Sequence, residues 1–276
     1  MPFETSRPTR RTLLLALASA LLASAALRAE PVHVRHTEGL VHGFLLLRTL
    51  DGKTLAEGDL TEHADGDIVT NHLVFHFKDG SLHDETAVFS QSRHFRLLKD
   101  HLVQKGPAFQ HSLDSSIDTS KQEVTIRYTG KDGKEQVMTE HVDLPLDLAN
   151  GIVLTLLKNI RTSEPLTKVS MVAATPKPRL VNLAITPVGE ERFSIGDSPR
   201  KATRYEVKVE IGGVTGWFAH LMGKIPPPTN VWILSGEAPA FVKSEGPLFM
   251  GGPVWRIELA SPTWSQAAVE NVKTPQ

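Results

Sequence analysis

Residues 72–81 read HLVFHFKDGS and carry the clearest secondary-structure signal in this chain of 276 residues. Apolar and polar side chains alternate before the turn, with Leu73, Phe75 and Phe77 on one face, which is typical of a strand with one buried side. An Asp-Gly pair directly after such a run indicates a tight hairpin turn. The segment therefore predicts a strand that turns back on itself.

The same style of sequence extends over most of the chain. Asp-Gly pairs recur at residues 51–52, 65–66 and 132–133. Further alternating runs predict strands over Glu123–Thr129, Gln136–Val142, Leu180–Pro187, Ala202–Ile211, Val231–Leu234 and Val254–Leu259, and Gly212-Gly213 predicts a hairpin into Val214–Phe218. Some 12 to 14 short strands predict a mainly β protein. We expect a curved antiparallel meander that forms an open or closed barrel-like sheet, since such a sheet must hide its edges.

One segment departs from this pattern, and it predicts the one helix, Asp147–Ile160. Apolar residues fall on nearly every side of it, among them Leu148, Ile152, Leu156 and Ile160. A helix that is apolar all round is a buried one. Asp147 is the predicted N-cap, because its carboxylate can accept the free amides of the first turn. The helix can lie inside the curved sheet or across its mouth, or it can pack on one face of a sandwich.

The N-terminus predicts export. Arg7, Arg10 and Arg11 precede an uncharged run of about sixteen residues, Thr12–Leu27, which is too short to cross a bilayer. Small residues follow at 23–25, and this basic, apolar, small-residue order is typical of a secretory signal peptide, here residues 1–29 or 1–25. The arginine pair also fits a twin-arginine signal in part. We expect one β-rich domain over 30–276, without a transmembrane segment, in the periplasm or outside the cell.

Composition narrows the classes of partner. The chain has no cysteine, which excludes disulfides and a lipid-modified cysteine. Removing residues 1–29, with their four Arg and one Glu, lowers the formal net charge from −1 to about −4. A mildly acidic mixed surface argues against nucleic acid as a partner.

Histidine is the chemically capable residue in excess, with 12 in the chain. If Asp79-Gly80 is a two-residue loop, His76 stands directly opposite His83, and Glu85 lies diagonal to His76 on the same face. Two imidazoles and a carboxylate so placed could hold a divalent metal. The alternative is that these side chains form the solvated polar face of the hairpin, which needs no ligand. No nucleotide-binding or hydrolase signature occurs in the chain, and no catalytic residue is predicted.

A resemblance follows from the order of these features. Curved strands, then 143-DLPLD-147 leading into the apolar helix, then strands ending in 231-VWILSGEAP-239, resemble the secreted half-barrel proteins. These include the periplasmic lipoprotein carriers of the LolA type and uncharacterised exported domains related to them. The resemblance implies an incomplete barrel around a helix-lidded apolar cavity that binds acyl chains.

Three functions are compatible with the sequence. The first is a non-enzymatic envelope protein that binds an apolar ligand or another envelope protein, its cavity lined by Leu148, Ile152, Leu156 and Ile160. The apolar segment with Trp217 and Phe218 would contact the ligand or form ordinary core. The second is an exported metal-dependent hydrolase or carbohydrate-active protein built on the histidine and glutamate cluster. The third is a structural surface-assembly protein.

Overall fold

The computed structural model describes residues 30–129, 133–175, 177–195, 197–210 and 226–260. Within these ranges, 14 strands form a single antiparallel sheet in the order β8-β7-β6-β5-β4-β3-β2-β1-β14-β13-β12-β11-β10-β9. The predicted mainly β meander is therefore confirmed. The two halves of the chain meet where β1 pairs with β14, and β8 and β9 are the ends of the sheet.

Each predicted strand within the described residues overlaps an observed one, and two of them match to the residue, whereas β10 runs on from the predicted Leu180–Pro187 to Ile195. Their bounds are β1 Leu40–Arg48, β2 Thr54–Asp65, β3 Ile68–Phe77, β4 Leu82–Ser90, β5 Arg96–Lys105, β6 Leu113–Asp118, β7 Glu123–Thr129, β8 Glu135–His141, β9 Thr167–Ala173, β10 Arg179–Ile195, β11 Ser198–Glu210, β12 Thr229–Leu234, β13 Phe241–Pro247 and β14 Val254–Leu259. The hairpin predicted at Gly212-Gly213 lies outside the described residues.

The turn between β3 and β4 differs from the expected one. The Phe77 amide donates to the Ser81 carbonyl at 2.9 Å, so the loop has three residues and not two. Its last residue, Gly80, adopts φ +84°, the left-handed conformation that closes a three-residue hairpin loop. His83 consequently pairs with Phe75, and not with His76. A slip of one residue moves every side chain of β4 to the other face of the sheet.

The helix α1 spans Val153–Asn159 and is shorter than predicted. Residues 147–149 instead run beside β9, where Leu148 forms a parallel bridge with Ser170 and the Ala149 amide donates to the Ser170 carbonyl at 2.8 Å. Asp147 is not a helix cap, because its carboxylate accepts the Ser170 hydroxyl at 2.9 Å. The prediction of a helix from Asp147 is wrong at its N-terminal end, where backbone pairing to a strand takes precedence over local periodicity.

The connection into α1 ties one end of the sheet to the inner face of the other half. Asn150 exchanges two hydrogen bonds with the backbone of Val172 on β9. The next residue, Gly151, has φ +66°, and its carbonyl accepts the Asn71 side-chain amide of β3 at 3.1 Å. The sheet is therefore curled so that its β9 end lies over the inner face of β3–β5. Since all 14 strands form one sheet, the sandwich alternative is wrong.

Polar contacts hold the far end of α1. The Lys158 ammonium lies 2.7 Å from Glu38 and 3.3 Å from Glu62, and all three side chains are largely buried. Asn159 accepts the backbone amide of Arg35 at 2.8 Å, and the Tyr205 hydroxyl donates to the carbonyl of Ile160 at 3.0 Å. These contacts fix residues 35–38 against the helix. Burial raises the pKa of Glu38 to about 7, although the Lys158 ammonium opposes this rise.

Candidate functional site

The inner face of β3, β4 and β5 carries a group of polar side chains, four of them buried and one partly buried. Strand pairing places them in three adjacent rows. The rows, read from β3 to β5, are Phe75, His83 and Gln104; then Leu73, Glu85 and Leu102; then Asn71, Ala87 and Asp100. We call Asn71, His83, Glu85, Asp100 and Gln104 the inner polar patch.

His83 is fixed by a neighbour on β5. The Gln104 side-chain amide donates to Nδ1 of His83 at 3.0 Å and to the Leu248 carbonyl at 3.1 Å. Burial lowers the pKa of His83 to about 4, so the ring is neutral at neutral pH. Because Nδ1 accepts, the proton of the neutral ring sits on Nε2. The ring therefore presents an N–H group toward the neighbouring row.

Two carboxyl groups follow His83 along the inner face. Oε2 of Glu85 lies 4.0 Å from His83 Nε2. Asp100 Oδ1 and Glu85 Oε1 both approach the position that a Cβ atom on Gly151 would take, at 2.7 Å and 3.6 Å. Burial raises the pKa of Glu85 to about 7. Burial also raises the pKa of Asp100 well above its ordinary value, and the nearby Glu85 raises it further.

The patch holds three polar atoms whose hydrogen-bonding capacity is unused by the described residues. They are Asn71 Oδ1, His83 Nε2 and Asp100 Oδ1. Buried polar atoms in native proteins are satisfied in the large majority of cases, and leaving one unsatisfied costs about 1–3 kcal/mol. Asn71 Oδ1 is an acceptor, His83 Nε2 is a donor, and Asp100 Oδ1 is an acceptor when its carboxyl group is ionised.

One part of the patch is accessible. Glu85 retains 21% of its side-chain surface, whereas His83 retains 3%. The residues that flank Glu85 in its row, Leu73 and Leu102, are also only partly buried. A partly accessible carboxyl group thus lies between two partly buried leucines, and we call these three residues the accessible strip. Perturbed carboxyl pKa values together with apolar walls are typical of functional sites.

The predicted ligand-lining residues of the helix segment are in the core. Leu148, Ile152, Leu156 and Ile160 are at most 4% exposed and belong to the main hydrophobic cluster. These four residues were predicted to line a cavity, but in the structure they pack within the core. Trp217 and Phe218 lie outside the described residues.

The predicted metal ligands do not come together. His83 and Glu85 share the inner face, but His76 is exposed on the outer face and pairs with Leu82. The expected pairing of His76 with His83 is wrong, because the hairpin loop has three residues. Across residues 30–129, 133–175, 177–195, 197–210 and 226–260, no group of three or more His, Asp or Glu side chains is placed to hold a metal ion.

Other histidines of the first half pair with aspartates on the outer face. His42 contacts Asp59 at 2.8 Å, and the same arrangement joins His72 to Asp84 and His101 to Asp114. These side chains are about half exposed.

Sequence reasoning found His83 and Glu85 but missed the rest of the patch. Asp100 and Gln104 lie four residues apart on β5, with Leu102 between them on the same face. A strand face on which polar and apolar residues alternate is typical of a strand exposed to solvent, so the sequence does not indicate that Asp100 and Gln104 are buried. Only the pairing of β5 with β4 shows that this face points inward.

Comparisons with known proteins add one structural likeness. No family model matches the chain, and no curated protein matches it. Among solved structures, it is similar to a β-barrel-like protein of the domain of unknown function DUF1849 from Brucella abortus, with a TM-score of 0.46 and 8% sequence identity over 83% of this chain and 100% of that chain. In the described part of the chain, no helix is long and apolar enough to span a membrane.

Proposed function

We propose that this protein is an exported, non-enzymatic protein of the cell envelope that binds an apolar molecule, such as an acyl chain, against the inner face of its curled sheet. The export step is supported by the N-terminal sequence, with its basic residues, apolar run and small residues. The resemblance to LolA-type carriers stays a prediction and points to the same class of ligand.

The observation that carries the proposal is an inner apolar surface that is incompletely buried. Strand pairing directs Leu73 of β3, Val209 of β11 and Ile257 of β14 inward, opposite fully buried partners on the neighbouring strands. All three are only partly buried, as are Val153 and Leu154 of α1. Apolar surface that faces inward yet stays accessible favours an apolar ligand, because each Å² removed from water contributes about 25 cal/mol before the costs of association.

A fluorescence titration with diphenylhexatriene, a hydrocarbon dye that emits in apolar surroundings, tests the proposal. The variant Leu73→Trp enlarges a side chain on the accessible inner strip, and Val74→Trp makes the same change on the outer face of the same strand. We expect saturable dye binding by the wild type and by Val74→Trp, and binding at least about tenfold weaker, or 1.4 kcal/mol, in Leu73→Trp.

Circular dichroism of each variant checks that the sheet is retained. Absence of saturable dye binding by the wild type would overturn the proposal. Equal weakening in both variants would place the dye somewhere other than the inner face.

A further inference from the structure

We infer that the ligand of this inner surface is an amphiphile with a protonated amine, whose ammonium group is bound by Glu85 while its apolar chain extends over the apolar surface beside that carboxyl group. This inference rests on the proposed function and specifies the chemistry of the ligand head group. Its basis is the position of the patch within the accessible strip and the kind of hydrogen-bonding group that it leaves free.

Location links the head group to the chain. Glu85 pairs with Leu73 on one side and with Leu102 on the other, so the three side chains stand next to each other on the inner face. Any molecule that covers both leucines must also cover the carboxyl group between them. A purely apolar ligand would bury that group without a partner, which is unfavourable.

Hydrogen-bonding capacity selects a donor-rich head group. Asp100 Oδ1 and Asn71 Oδ1 are unpartnered among the described residues but have almost no accessible surface, so the acceptors that a ligand can reach are the carboxyl oxygens of Glu85, which retains 21% of its side-chain surface. An ammonium group has three donors and no acceptor, so it can donate to this carboxyl group. A carboxylate head group would bring only acceptors to a place where acceptors are already in excess.

Charge leads to the same conclusion. In the described ranges, the charged or titratable groups that face Glu85 are Asp100 of β5 and the neutral ring of His83, and Gly151 of the α1 connection covers Asp100. Among the described residues, the ammonium of Lys158 lies at the other end of α1, where it is engaged by Glu38 and Glu62. Within the part of the chain that the structure describes, Glu85 therefore has no cationic partner, and a cationic ligand would supply one.

Isothermal titration with decylamine, decanol and decanoate tests the inference, because the three probes share a chain and differ in the head group. At pH 8 we expect decylamine to bind at least about tenfold more tightly than decanol, with decanoate the weakest. At pH 5.5, where Glu85 is protonated, the preference for the amine should narrow.

Glu85→Gln is the matching variant, since it keeps the shape of the side chain and removes its charge. It should lose the preference for decylamine and retain the binding of decanol. Asp84→Asn is the control, because Asp84 faces outward on the same strand and contacts His72. It should keep the wild-type preference.

The outcomes separate the inference from the function on which it rests. Equal binding of the amine and the alcohol by the wild type would overturn the ammonium inference and leave the apolar-ligand proposal standing. An amine preference that persists in Glu85→Gln would also overturn it. If none of the three probes binds, both the inference and the proposed function are wrong.

Discussion

Replacing Glu85 by glutamine is expected to stabilise the fold at high pH and to have little effect at low pH. Burial raises the pKa of this carboxyl group from 4.5 to about 7. A raised pKa means that the folded state favours the protonated form of Glu85. The stability that protonated Glu85 gives the fold, relative to ionised Glu85, is therefore fully present below pH 4.5 and is lost as the pH rises through 7. Ionised Glu85 thus costs the folded state up to about 3 kcal/mol at about 1.4 kcal/mol per pKa unit.

Most of this cost develops between pH 5 and pH 8. Linkage over that interval gives about 2.5 kcal/mol for a single group with this shift. Glu85→Gln should therefore gain about 2.5 kcal/mol in the free energy of unfolding relative to the wild type on going from pH 5 to pH 8. Neutralising Glu85 also lowers the pKa of Asp100, which adds to the gain. The lowered pKa of His83 has the opposite effect, because it makes the folded state more stable as the pH rises. This contribution is present in both proteins, so it largely cancels in their difference.

The assay is equilibrium urea unfolding, followed by tryptophan fluorescence at both pH values. Asp84→Asn is the matched control and should show no such pH-dependent gain, because its carboxyl group is 40% exposed on the outer face. A difference between Glu85→Gln and the wild type that is the same at pH 5 and pH 8 would contradict this prediction, since it would mean that Glu85 is not desolvated in the folded protein.

Three further predictions concern the parts of the fold that position the inner face. Lys158→Met leaves two buried carboxyl groups without their cation and should lower the free energy of unfolding by about 3–5 kcal/mol in urea titrations at pH 8. Gly151→Ala places a methyl group 2.7 Å from Asp100 in a left-handed backbone, and should lower the melting temperature more than Gly52→Ala, where the backbone is also left-handed but no atom lies within 4 Å. His76→Gln should change the free energy of unfolding by less than about 0.5 kcal/mol, because the side chain is exposed on the outer face, and a larger loss would contradict the register of β4.

Much of the sheet could be predicted from the sequence because short stretches of sequence are enough to determine where its strands and turns lie. The strands Glu123–Thr129 and Val254–Leu259 agree with the alternating pattern to the residue, since turn residues and a period of two determine such strands without reference to distant parts of the chain. The curled meander follows from the number of strands and the short turns. The buried helix follows from apolar residues on all its sides.

What could not be predicted depends on partners far away in the sequence. The helix begins at Val153 because residues 147–149 pair with β9, which local periodicity does not reveal. His83 lies inside the sheet because the hairpin has one more loop residue than assumed, and one residue reverses the faces of β4. Asp100 completes the inner polar patch only through the pairing of β5 with β4.

The most direct test of the proposed function is native mass spectrometry of the protein purified without detergent from the envelope fraction of its own host. We expect an added mass of several hundred daltons that organic solvent releases, and fragmentation should identify it as a molecule with an apolar chain. A protein that carries no such adduct, and that also takes up none when incubated with decylamine, would contradict the claim that the inner face binds an apolar ligand.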